Sequence, residues 1–204
     1  MEPMKNRRTG RLGRGLTCLL AGLLLLSCTA CTGGDKVPPG CEKVVIPESY
    51  YEYFGDTPAD DVKSLRSLGS DYCTKAYRKN GGVIMMMTPE QKKNLLFRNA
   101  SWIESYQKSF LRENDAYKIR IAEDYTYMEF DYDAELDDTT QQEVVQALSY
   151  FCVLDQLIGK GGPDWSLEIR IRNCHTGAEV ADVTIPGQPL NFSKADWEKL
   201  ESGS

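Results

Sequence analysis

Five acids crowd one short stretch: Asp131, Asp133, Glu135, Asp137 and Asp138. Alternating carboxylates offer hard oxygens to calcium, as EF-hand loops do. A loop of that type opening at Asp131 needs Gly at its sixth position and Glu at its twelfth, where this chain has Leu136 and Gln142. The run reads instead as a solvated loop whose last acids favour the start of a following helix. His175 is the one histidine, so any Cys–His or Ser–His mechanism must use it. Its neighbour Cys174 would point the other way on a strand, an opposition that a turn can relax. The bland reading of a turn histidine is an exposed polar residue. Met85, Met86 and Met87 stand together, but five apolar residues between turn signals describe a buried strand better than a soft-metal site. No GxGxxG, P-loop, HExxH or GxSxG occurs. The sequence therefore assigns no catalytic residue, no metal ligand and no cofactor. Paired-carboxylate hydrolysis stays open, because acid pairs assemble in space.

The chain opens with Arg7, Arg8, Arg11 and Arg14, followed by 11 mostly apolar residues from Leu16 to Leu26. That run is the size of a signal-peptide core and short of the ~20 residues that span a bilayer. Next comes Leu25-Leu26-Ser27-Cys28, with an aliphatic residue at −3 and a small one at −1. This order resembles the lipobox signal of bacterial lipoproteins. The resemblance implies cleavage before Cys28, a diacylglycerol on its thiol, and attachment to the extracytoplasmic face of a membrane, inner or outer. Cys31 is the competing site, with Cys28 at its −3 position, a poorer fit than leucine. The expected organisation is residues 1–27 as signal peptide, 28–40 as a Gly/Pro-rich tether and 41–204 as one domain.

Removing the leader's five basic residues and one acid leaves 19 basic and 29 acidic side chains, a net charge of −10. So acidic a domain repels nucleic-acid backbones and offers anionic lipid heads no basic patch. Contact with a membrane would come from the lipid alone. Cys41, Cys73, Cys152 and Cys174 are candidate disulfide partners; sequence proximity favours Cys41–Cys73 and Cys152–Cys174, with buried free thiols the alternative.

Helix starts stand at Thr57-Pro58-Ala59-Asp60 and at Thr88-Pro89-Glu90-Gln91, the second a capping box. The first helix is expected to run towards Lys79, with a break at Gly69, and the second to about Glu113, its core arc holding Leu95, Leu96, Ala100, Ile103, Tyr106, Phe110 and Leu111. Between them Val83–Met87 reads as a short strand. Tyr117–Tyr132 reads as a hairpin with the turn Glu123-Asp124, pairing Arg120 with Tyr127 and Lys118 with Glu129. A third helix, capped by Asp138 or Asp137, buries Val144, Ala147, Leu148, Phe151, Leu154 and Ile158. A second hairpin turns at Thr176-Gly177, its first strand alternating Trp165, Leu167, Ile169 and Ile171 with Ser166, Glu168, Arg170 and Arg172.

These elements imply an α+β fold: a mainly antiparallel sheet of hairpins with about three helices on one face. The open face would carry Lys118, Arg120, Tyr125, Tyr127, Glu129, Glu168, Arg170 and Arg172, a mixture suited to polar protein contact. A plain solvated face is the bland alternative. The expected function is non-catalytic, binding or scaffolding at the cell envelope, with another envelope protein as partner. A small hydrolase using paired carboxylates is the alternative.

Overall fold

Glycines and capping residues punctuate the chain into eleven regular elements in a computed structural model that describes residues 36–133, 138–193 and 195–197. Strand β1 (Glu42–Ile46) leads through Pro47 into helix α1 (Glu48–Phe54), so the aromatic YYEYF run is helical. Tyr50 and Tyr51 are its buried residues. Helix α2 (Pro58–Leu68) starts on Thr57, whose hydroxyl accepts from the Asp60 amide at 3.2 Å.

The expected extension of α2 towards Lys79 does not form. Gly69 ends the helix at φ +86°, and Lys75–Lys79 is strand β2. Asn80 and Gly81, both at positive φ, make the two-residue turn that favours hairpins, with Lys79 opposite Gly82. Gly82 opens strand β3 (Gly82–Met87) and lies so close to β1 that a Cβ there would stand 2.2 Å from the Ile46 carbonyl oxygen. Every residue of β3 is buried, the methionine triplet included. Its central place in the order β1-β3-β2 explains this, since α1, α2 and α3 (Pro89–Leu111) all reach it.

Helix α3 begins with the expected capping box: the Thr88 hydroxyl accepts from the Gln91 amide at 3.2 Å, and the Gln91 side chain accepts from the Thr88 amide at 2.8 Å. Its buried residues are Leu95, Asn99, Ile103 and Phe110, whereas Leu111 is exposed. The arc drawn from the sequence was therefore too wide.

The second sheet has the order β4-β5-β6-β7: β4 (Lys118–Ile121), β5 (Tyr127–Tyr132), β6 (Leu167–Asn173) and β7 (Glu179–Ile185). Both hairpins form, but the first is two residues out of the expected register. Arg120 lies opposite Glu129 and Lys118 opposite Asp131. A two-residue shift preserves the faces, so Met128 and Phe130 still point into the core. The two hairpins meet at β5 and β6, which run parallel. Parallel neighbours need a long crossover, supplied by α4 (Asp138–Lys160). Its expected cap at Asp137 lies outside the described residues. The helix buries Val144, Val145, Leu148, Cys152, Val153, Leu157 and Ile158, whereas Ala147, Phe151 and Leu154 of the expected stripe are only half-buried; the band is broader and turned, because the helix packs on α3, β1 and β6 together. The result is an α+β fold in two mostly antiparallel sheets, where the sequence implied one.

Candidate functional site

Period-two alternation puts the residues at 127, 129 and 131 of β5, and 168, 170 and 172 of β6, on the face away from the buried Met128, Phe130, Ile169 and Ile171. Lys118 and Arg120 of β4 share that face through their register with Asp131 and Glu129. Seven of the eight residues expected on this face, Lys118, Arg120, Tyr127, Glu129, Glu168, Arg170 and Arg172, therefore share it. Tyr125 lies in the hairpin loop at φ +59° rather than on the strand.

The face is a lattice of ion pairs. Arg172 reaches Glu129 at 2.7 Å and Asp131 at 2.9 Å. Arg120 pairs with the same two acids from the other side. The Tyr127 hydroxyl donates to Glu129 at 2.7 Å, and the Arg170 guanidinium stands 6.0 Å from the Tyr127 ring centroid. Arg170 turns outward to Asp182 on β7 at 2.8 Å, with Glu168 and Glu179 beside it. Glu129 and Asp131 are buried although they lie on the open face. Arginine suits this work because its planar fork holds two carboxylates in fixed geometry.

One row further along, Asp133 follows β5 and Cys174 follows β6. The Cys174 amide donates to the Tyr132 carbonyl at 2.9 Å, which continues the parallel ladder. Asp133 is buried, accepts the Tyr117 hydroxyl at 2.7 Å, and lies 3.1 Å from His175 Nε2. Sequence alternation set Cys174 and His175 on opposite sides, but the chain turns here. The buried Asn173 side chain accepts from the amides of His175 and Thr176 at 2.9 and 3.0 Å. Gly177, at φ +70°, returns its amide to the Asn173 carbonyl. This turn brings both side chains to Asp133, a convergence that spacing alone could not show. The Cys174 thiol is pushed up by burial and then by the Asp133 carboxylate, which disfavours the thiolate that a Cys–His nucleophile requires.

The four candidate disulfide cysteines are free thiols. Cys152 is buried beneath the sheet with its Sγ 3.6 Å from Met128 Sδ, while Cys174 meets Asp133 at the polar face. The sheet separates the two, so the favoured Cys152–Cys174 bridge does not form. Cys41 and Cys73 flank Thr74 at the end of the first sheet without bonding.

Two further features bear on acid chemistry. A cavity of ≈ 460 Å³ is bordered by Tyr53, Phe54, Gln146 and Leu190 and, among the described residues, holds Asp196 as its one acid. A smaller one of ≈ 160 Å³ includes Tyr51, Arg98 and Trp102 and, among the described residues, holds Asp61 as its acid, whose carboxyl burial pushes up and the Tyr51 hydroxyl steadies at 2.8 Å. Each carries one carboxylate where hydrolysis by an acid pair needs two. Glu129 and Asp131, which do stand together, are engaged by arginines. No helix among the described residues is long and apolar enough to cross a membrane. Comparison with family models, with curated proteins and with solved structures finds no match.

Proposed function

We propose that this chain is a lipoprotein, held by lipid on Cys28 to the extracytoplasmic side of a membrane, whose folded domain binds another envelope protein through the polar face of its second sheet. The observation that carries the reading is the ion-pair lattice. Burying Glu129 and Asp131 beneath arginines has a desolvation cost that a purely solvated face would not incur. What the lattice gives in return is a fixed charge pattern, so a partner meets side chains already ordered. Lys118 stands at its rim, and Glu168 and Glu179, paired with Arg170, extend the pattern that would set the partner's orientation.

Two measurements test the two halves of this reading. A fatty-acid probe should label the wild type and spare Cys28→Ser; undiminished labelling of that variant with loss in Cys31→Ser moves the anchor to Cys31. For the face, a photocrosslinking side chain is placed at position 127 of the full lipoprotein in its own envelope. A discrete adduct that Glu168→Lys removes is expected. An adduct indifferent to Glu168→Lys, or equally strong from position 97 on α3, places the contact elsewhere.

A further inference from the structure

We propose that Asp133, Cys174 and His175 form a binding site for a borderline divalent cation, zinc being the best fit. The three side chains come from just beyond the ends of β5 and β6, adjacent parallel strands that finish at the same end of the sheet. One ligand atom from each lies within 4.8 Å of the other two. The Asp133 oxygen stands 3.1 Å from His175 Nε2 and 3.9 Å from Cys174 Sγ. Around a tetrahedral zinc with bonds of ~2.0–2.3 Å, ligand atoms are about 3.3–3.8 Å apart, so small side-chain adjustments admit the ion. A thiolate, an imidazole and a carboxylate together select zinc or cobalt over calcium and magnesium, which take oxygen alone.

The surroundings are those of a supported site. The Tyr117 hydroxyl donates to the other oxygen of Asp133 at 2.7 Å, which orients the carboxylate in the way that outer partners orient metal ligands. The Asn173 side chain fixes the turn that delivers Cys174 and His175. Asp133 is buried while the His175 side chain is 60% exposed, giving an ion a route in from solvent. Three protein donors leave a fourth position for water. In the preceding rows β6 sets Arg170 and Arg172 beside the acids of β5; at this row it sets Cys174 beside Asp133. The inference stands whether or not the lattice docks a partner.

Cobalt titration of the full chain in detergent, under a non-thiol reductant, reads the site directly. Wild type should develop a thiolate-to-cobalt charge-transfer band with the visible bands of tetrahedral cobalt, and zinc should displace both. Cys174→Ser should abolish the charge-transfer band, while Cys31→Ser and Cys41→Ser should keep it. His175→Gln, at an exposed side chain, keeps the test decisive if Cys174→Ser folds poorly; it should weaken zinc binding by at least about tenfold. Tyr117→Phe should weaken it by roughly 10–100-fold, the usual cost of losing an outer partner. Absence of the band in wild type overturns the proposal, as does its survival in Cys174→Ser or unchanged zinc affinity in His175→Gln.

Discussion

Arg172 holds two nearly buried acids at once, and its loss tests what the lattice contributes to stability. Arg172→Ala leaves Glu129 and Asp131 facing Arg120 alone, a half-exposed partner. Removing one member of a fully buried pair costs about 3–5 kcal/mol; with Arg120 remaining, roughly 2–3 kcal/mol is expected from denaturant titration. Asp61 gives a pH-dependent counterpart. Burial raises its carboxyl pKa in the fold, so the folded state binds the proton more tightly than the unfolded chain. Its contribution is most favourable below the unfolded value of about 3.9 and is lost as pH rises through the higher folded value. Asp61→Asn keeps an acceptor for Tyr51 and removes the charge. The variant should therefore gain stability over wild type as pH goes from about 4 to 7; a gap that narrows over that interval contradicts the assignment. At this scale the sequence was informative where period two applies, as for Arg170 and Arg172. For Cys174 and His175 it offered opposite sides of a strand or a turn that relaxes this, and it could not choose, because the turn that joins them depends on Asn173.

Gln91 connects more of the molecule than a capping residue usually does. Besides accepting from the Thr88 amide, its side chain donates to the Ser70 carbonyl at 2.6 Å and accepts from the Thr74 hydroxyl at 2.9 Å. It thus ties the loop between α2 and β2 to the start of α3. Thr88→Ala should cost about 1 kcal/mol, the usual value of a cap. Gln91→Ala should cost more, about 2 kcal/mol for three partly exposed bonds, and should speed amide exchange across 70–74. Equal losses would mean that the loop is held by other contacts. The box itself was legible because its chemistry lies within four residues; its tie to Ser70 spans 21 and was not. Hairpin register shows the same division. Alternation fixed the faces of β4 and β5, but Glu123 cannot readily take the positive φ that the favoured two-residue turns demand at their first position. The loop widens to 122–126, with one left-handed residue at Tyr125, and the register moves by two.

Two hairpins joined by a long helix leave β5 and β6 as parallel central strands, and the core on their inner side is closed from the far end of the chain. Trp197 is fully buried with its ring centroid 4.7 Å from that of Tyr132, the last residue of β5. Phe192 is buried with it, so these two residues beyond the last strand belong to the core. No periodicity announces a core residue in so short a helical turn, so the burial of Trp197 is not legible in the sequence. The N-terminal boundary has the opposite character: Val37 is exposed and begins the compact unit that extends to Ser204. A fragment beginning at Val37 should unfold in one cooperative transition at the denaturant midpoint of the full chain. Within it, Trp197→Ala should cost about 3–5 kcal/mol, the range for deleting a large buried aromatic side chain. Should the fragment unfold early, residues before Val37 contribute to stability. Should Trp197→Ala cost less than about 1 kcal/mol, the tail does not close the core, and the ends of β5 and β6 are held only by the strand ladder and the turn at Asn173.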